Sequence, residues 1–160
     1  LIVVVGGTGV SPVRGVLEYF YNHMDELLAL KLIAGFKTPQ EILFGDDFKR
    51  WPDRLDVTLT TDDNLGDETL LQGLVTEYIP DLKIADLSNT AAIVVGPPIM
   101  MHFSVQALLD RGLAEKDIWV SHERKMCCGI GKCGHCKIDD KYVCLDGPVF
   151  NYAEAKAFVD

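Results

Sequence analysis

Apolar residues are distributed along the first 120 positions in two alternating patterns. Leu1–Val5 is continuously apolar, as expected of a strand buried on both faces of a parallel sheet. Val13, Leu17, Phe20, Tyr21 and Met24 then recur at intervals of three and four, which predicts a helix. Leu28–Ala34 is a second apolar run, and Leu55, Val57 and Leu59 alternate as a third strand. Ala91–Val95 reads as a fourth strand and Ile118-Trp119-Val120 as a short fifth. Thr38-Pro39-Gln40-Glu41 has the form of a capping box with proline at the first helical position. Met101, Val105, Leu108 and Leu109 predict another helix, stopped by Gly112. Residues 62–89 show no clear period and predict loops and short helical turns. Strand and helix in turn imply an α/β fold with a doubly wound, parallel, five-stranded sheet.

Composition changes at Ser121, where glycine and cysteine take over. We therefore expect a nucleotide-binding domain over 1–120 and a small cysteine-rich appendage over 121–160. Cys128, Cys133, Cys136 and Cys144 follow C-x4-C-x2-C, then seven residues, then C. That opening is the plant-type [2Fe–2S] spacing, in which four thiolates share two irons. Gly129, Gly131 and Gly134 are free to adopt positive φ and bring backbone amides toward the sulfurs. Zinc and disulfides are the competing readings. Zinc sites usually pair two short hooks, and only Cys133 and Cys136 form one. Disulfides are rare in reducing compartments, and no secretory signal is visible. Cys127 adjoins Cys128, but as first ligand it would make the first gap five residues, so it reads as a free thiol or a packing residue.

Gly6-Gly7-Thr8-Gly9-Val10-Ser11-Pro12 directly follows the first strand. Small residues there let amides approach a pyrophosphate at a helix N-terminus, with Ser11 expected as cap and Pro12 at the first helical position. The run is not G-x-G-x-x-G, since Pro12 stands where the third glycine would be. Gly96-Pro97-Pro98 repeats the arrangement after the fourth strand, and both turns fall at the carboxyl edge where such sheets bind ligands. Asp62 and Asp63 end the third strand and suit ribose hydroxyls better than a 2′-phosphate, which favours NAD, while Lys37 argues for NADP. Trp51, Trp119, His23 and His102 read as packing or surface residues, and His135 as an exposed loop residue.

The 160 residues are 48% hydrophobic, enough for a packed core, and carry 24 acidic and 15 basic residues for a net charge of −9. That balance argues against nucleic acid. It is compatible with docking onto a basic partner surface. No apolar stretch approaches the ~18 residues of a membrane span. The expected location is cytoplasmic. An opening in mid-strand at Leu1 leads us to expect a piece of a longer chain.

G-G-T-G-V-S-P, G-P-P-I-M-M and the cysteine cluster together resemble the nucleotide-binding half of the ferredoxin–NADP reductase superfamily, across essentially the whole chain. The branch with a [2Fe–2S] tail is the most similar. It includes sulfhydrogenase gamma subunits, the corresponding anaerobic sulfite reductase subunits and the dihydroorotate dehydrogenase electron-transfer subunit. C-G-I-G-K-C-G-H-C and Y-V-C-L-D-G-P-V-F resemble the hydrogenase and sulfite reductase members more. The resemblance implies that Gly7, Thr8, Gly9 and Pro12 line a nicotinamide-dinucleotide site, with Gly96, Pro97 and Met100 near the nicotinamide. It implies FAD in an N-terminal barrel outside these residues. The expected function is an oxidoreductase electron-transfer subunit, inactive as an isolated fragment. It passes electrons between NAD(P)H/FAD and a catalytic partner subunit through a [2Fe–2S] cluster. A dihydroorotate-type subunit, a zinc-stabilised nucleotide-binding module and a redox-sensing regulatory subunit are the alternatives.

Overall fold

The computed structural model describes residues 1–158. One seven-stranded sheet runs through it in the order β4-β3-β2-β1-β5-β6-β9. The five expected strands are present as β1 (Ile2–Gly6), β2 (Lys31–Phe36), β3 (Asp56–Thr61), β5 (Ala92–Val95) and β6 (Ile118–Ser121), all parallel. Two short strands extend the expected five. β4 (Leu71–Gln72) joins the β3 edge in parallel, and β9 (Val149–Asn151) pairs antiparallel with β6. Neither carries an apolar period long enough to read: two and three residues are too few. A separate hairpin is formed by β7 (Lys137–Ile138) and β8 (Lys141–Tyr142).

β1 is buried at every position, which explains its unbroken apolar sequence. Its residues divide between two cores by alternation. Ile2 and Val4 join Ile33, Val94, Val105 and Leu108 on one face. Val3 and Val5 join Leu17, Leu32, Ala34 and Trp51 on the other. Each buried Val, Leu or Ile among them contributes about 1.5–3 kcal/mol by leaving water, so the central strands hold the loops at their carboxyl ends on a rigid base.

α1 (Val10–Asn22) and α4 (Pro98–Asp110) lie where periodicity predicts them. α4 stops as expected: Gly112 has φ +91, Leu113 N–H donates to Leu108 and Gly112 N–H to Leu109, closing a Schellman motif. Two local expectations are corrected. Ser11 does not cap α1. The helix begins at Val10, Gly9 occupies the N-cap, and Ser11 and Pro12 are exposed within the first turn. The Thr38 capping box opens no α-helix either. Pro39–Glu41 makes one 3-10 turn, Ile42 returns to extended backbone, and α2 (Gly45–Arg50) starts only after Phe44 at φ 56. Residues 62–89 hold β4, the one-turn helix α3 (Val75–Tyr78) and a 3-10 turn at Leu87–Asn89, with the rest in loops and turns.

The cysteine-rich segment shares the main core. Cys136, Ile138, Val143, Phe150 and Ala155 are buried in the same cluster as Val94 and Leu108. After the hairpin come α5 (Val143–Asp146), β9 and α6 (Tyr152–Ala155).

Candidate functional site

β1 and β5 are neighbours in register, Val5 beside Val95. Strand order reverses between them, because β2 lies beyond β1 and β6 beyond β5. That is the topological switch point at which open α/β sheets place ligands. The loop after β1 and the loop after β5 therefore lie side by side, and their glycines are demanded by contact. A Cβ on Gly9 would sit 2.4 Å from the carbonyl oxygen of Val95. On Gly96 it would meet Met100 Cε at 2.8 Å and Gly6 N at 3.0 Å, and on Gly6 it would meet Met100 Sδ at 2.6 Å. Gly7 turns the chain at φ +53 with open space around it, which leaves its backbone approachable.

Two clefts flank this loop pair. One, of about 500 Å³, is lined by Gly6, Gly7, Thr8, Gly9, Gly96 and Pro97 and extends to Ser121, His122, Tyr152 and Lys156. The other, of about 340 Å³, shares Gly6, Gly7 and Pro97 and extends past Gly35 to Lys37, Glu41, Asp62, Met100 and Phe103. The structure thus gathers Gly6, Gly7, Thr8, Gly9, Gly96, Pro97, Met100 and Asp62 at one sheet edge. Ser11 and Pro12 line neither cleft. Met100 opens onto the Asp62 side. Tyr152 and Lys156 were not anticipated: α6 reaches the cleft only because β9 folds back along β6, and no local signal announces that pairing.

His122 stands at the end of β6, its amide donating to Pro148 O at 2.9 Å. Its ring meets Phe158 and Phe150 edge-on, with centroids 5.5 and 6.0 Å away. Burial pushes its pKa down, and the nearby Arg124 adds to that. A half-buried neutral imidazole at the cleft wall is the outcome.

The cysteines form a second constellation. The turn from Cys128 to Cys133 is made by Gly129 and Gly131 at φ +69 and +67, and Gly134 follows at φ +76. A Cβ on Gly131 would lie 2.3 Å from Leu145 Cδ1 and would be strained at φ +67, so glycine is favoured there. The turn aims amides inward: Lys132 and Cys133 N–H both donate to Cys128 Sγ at 3.4 Å. The amide of Ile130, then those of Cys133 and Lys132, hold the Cys128 thiol below its usual pKa. The amide of His135, followed by that of Cys128 and the Cys128 thiol, brings Cys133 down to about 7. These are the donors that favour a thiolate.

Cys136 and Cys144 are seven residues apart but become neighbours through the β7–β8 hairpin, closed where Val143 N–H donates to Cys136 O at 3.1 Å. Contact with the Cys136 thiol, then burial, pushes the Cys144 pKa up, while the Gly131 amide opposes this. Repulsion from Cys128 also reaches Cys144. The four sulfurs are therefore arranged as two adjacent pairs, Cys128 with Cys133 and Cys136 with Cys144. Among the described residues, no group of three or more His, Cys, Asp or Glu is placed to hold one metal ion. Cys127 is exposed and takes no part in either pair. The residues present fit a thiolate-bound cluster: two sulfur pairs, inward amides and glycines at positive φ that let the loop turn around the sulfurs.

The comparisons with known proteins follow the same division. The oxidoreductase NAD-binding domain family matches residues 3–106. The iron–sulfur cluster binding domain of dihydroorotate dehydrogenase B matches residues 123–156. Sulfhydrogenase 2 subunit gamma of Pyrococcus furiosus is 34% identical over an alignment that covers 97% of this chain and 59% of that protein. The probable dihydroorotate dehydrogenase B electron transfer subunit of Methanocaldococcus jannaschii is also 34% identical, over 94% of this chain and 54% of that protein. The chain thus spans somewhat over half the length of these relatives. Among solved structures, an NADH-dependent reduced ferredoxin–NADP oxidoreductase superposes with a TM-score of 0.69 at 25% identity, covering 96% of this chain and 52% of that one. The cytochrome b5 reductase domain of Ulva prolifera nitrate reductase shares the fold of 74% of this chain, at 20% identity and a TM-score of 0.65. The sheet with its paired glycine loops and the cysteine segment behind it place this chain in the oxidoreductase NAD-binding domain family, followed by an iron–sulfur cluster binding domain of the dihydroorotate dehydrogenase B type.

Proposed function

We propose that this chain is the dinucleotide-binding and electron-exit portion of a cytoplasmic oxidoreductase subunit, of the kind that feeds electrons to a hydrogenase or sulfite reductase catalytic subunit. The observation that carries the reading is the arrangement of four cysteines as two sulfur pairs behind a dinucleotide-type sheet edge. A [2Fe–2S] cluster needs two thiolates on each iron, and a single zinc ion needs four ligands converging on one point. Cys128 with Cys133 would hold one iron and Cys136 with Cys144 the other.

The paired loops supply the other half of the reading. Amides of Gly7, Thr8 and Gly9 at the start of α1 would receive a pyrophosphate, since Gly9 and Gly96 leave no side chain in the way. Asp62 and Glu41 line the cleft on the β3 side, where carboxylates suit ribose hydroxyls and repel a 2′-phosphate. NAD is therefore the proposed cofactor despite Lys37 in the same cleft. The nicotinamide would lie toward Gly96 and Pro97.

Bound together, a nicotinamide, a flavin and a thiolate-held cluster would match two-electron hydride chemistry to one-electron transfer. The chain's own residues bind the dinucleotide, orient it at the sheet edge and hold the thiolates, and no side chain acts as nucleophile or general base. The dihydroorotate-type relative is equally similar in identity, so the same entry module in a dihydroorotate-oxidising complex is the second reading.

The test is metal analysis of the full-length protein purified without oxygen. Two irons and two acid-labile sulfides per chain, with visible absorption bleached by dithionite, support the reading. A colourless protein with stoichiometric zinc overturns it.

A further inference from the structure

We propose that the surface around the cysteine loop is a docking face for an acidic protein surface, the one surrounding the electron acceptor of the partner subunit. The inference rests on the reading that electrons leave through this loop, and adds the chemistry of what receives them.

Charge is unevenly placed along the chain. Residues 124–138 contain Arg124, Lys125, Lys132 and Lys137 and no Asp or Glu, so all 24 acidic residues lie outside that run. In a chain of net charge −9, the stretch that supplies three of the four paired cysteines has the opposite sign. An oxidised cluster held by four thiolates carries a net charge of about −2, one of the quantities that set its potential, and the run stays positive with that charge included. The overall acidity, which taken alone suits a basic partner, therefore points the wrong way at the place that matters.

The cations adjoin the cysteines along the chain. Lys132 and Lys137 adjoin Cys133 and Cys136 in sequence, and Lys125 precedes Cys128 by three residues. Lys125, Lys132 and Lys137 are all exposed. Lys137 Nζ lies 5.8 Å from the Tyr142 ring centroid, a contact that leaves its charge intact. Of the acids nearest in sequence, Glu123 is exposed and lines the cleft of about 500 Å³ at the sheet edge. Asp146 accepts the Tyr142 amide at 2.7 Å, and Asp139 and Asp140 form the tip of the β7–β8 hairpin, away from its Cys136–Val143 base.

Apolar side chains lie among these cations. Met126, Ile130 and Leu145 are 49, 59 and 61% exposed, and Leu145 is laid directly against Gly131. Exposed apolar side chains in a run of one charge suit a face that is steered by charge and seated by burial. A polyanion such as nucleic acid fits less well. Its extended phosphate backbone would run onto the acidic remainder of the chain, and no aromatic platform for bases lies in the loop.

The test uses the full-length holoprotein in stopped-flow and surface-binding measurements. The probes are an acidic plant-type ferredoxin, the basic cytochrome c and a short duplex DNA. Visible absorption and midpoint potential report whether the cluster is present, so loss of the proposed electron route is read separately from loss of docking. The ferredoxin association rate is expected to fall at least tenfold between about 50 and 500 mM salt, as screening shortens the reach of exposed charges. In the Lys125→Glu, Lys137→Glu double variant at low salt it is expected to fall about tenfold, and that of cytochrome c to rise. Should the variant lose its cluster, the salt titration of the unaltered protein decides by itself. Ferredoxin binding that ignores salt, an unchanged rate in a cluster-intact variant, or a preference for cytochrome c or for DNA would overturn the proposal.

Discussion

The backbone amide of Cys133 donates to the sulfur of Cys128 at 3.4 Å. One cysteine of the first pair thus favours the other as a thiolate, and the intervening glycines make that turn. Cys127, one residue away, is exposed and belongs to neither sulfur pair. We expect Cys128→Ser to lower the iron content of the full-length protein to well below half. Cys127→Ser should leave iron content and visible spectrum unchanged. Iron and sulfide analysis of the two variants side by side checks the assignment.

The contact between Gly9 and Val95 O predicts an unequal pair of glycine substitutions. Alanine at Gly9 would place a methyl 2.4 Å from a backbone oxygen of β5, which cannot rotate away. Overpacking of that kind costs about 1–3 kcal/mol, and here it also spreads the two loops. Gly9→Ala should lower the melting temperature and weaken dinucleotide binding at least tenfold. Gly7→Ala meets no atom within 4 Å and carries only the left-handed backbone cost of about 1–2 kcal/mol. Thermal unfolding and dinucleotide titration on both variants separate the two effects.

Arg14 Nε donates to Asp47 Oδ2 at 2.6 Å and ties α1 to α2, while Arg50 reaches Asp47 Oδ1 at 3.2 Å and Glu18 at 2.5 Å. The Arg14 hydrogen bond, opposed by burial and reinforced by Arg50, holds the Asp47 carboxyl below its ordinary value of 3.8. A depressed carboxyl contributes stability that is complete above the unfolded pKa and disappears as pH falls through the folded one. We expect Asp47→Asn to lose about 1–2 kcal/mol at neutral pH, the worth of charged hydrogen bonds. Its stability should converge with the parent's as pH falls through the depressed pKa of Asp47. Urea unfolding across the acid range provides the comparison.

Asp62 and Glu41 share a cleft with Lys37. Two carboxylates against one ammonium predict that the full-length protein binds NADH at least about tenfold more tightly than NADPH, a difference of about 1.4 kcal/mol. Asp62→Asn should narrow that gap from the NADH side. Fluorescence titration with each dinucleotide tests it, and equal affinities would remove Asp62 from the ribose site.

Much of the site was legible because it depends on local pattern. The unbroken apolar run at Leu1–Val5 announced the central strand, and the glycine turns after β1 and β5 marked the edge where the two clefts open. The cysteine spacing singled out Cys128 over Cys127. What escaped depends on tertiary pairing. β9 is three residues long, so nothing in its sequence shows that it returns along β6 and carries Tyr152 and Lys156 to the cleft wall. Nor does spacing show why Cys136 and Cys144 meet, because the hairpin that joins them has only two residues in each strand. Ser11 and the Thr38 box misled for a related reason. Capping residue types mark where a helix is able to start, and here Gly9 and the left-handed Phe44 mark where the chain turns.

The most direct measurement of the central claim is electron paramagnetic resonance of the anaerobic full-length protein before and after NADH is added. A silent oxidised protein is expected to develop the signal of a one-electron-reduced [2Fe–2S] cluster, with two irons per chain. That signal should be lost in a Cys128→Ser, Cys144→Ser double variant. A protein with one zinc per chain and no signal, or a cluster signal that survives loss of both cysteines, would contradict it.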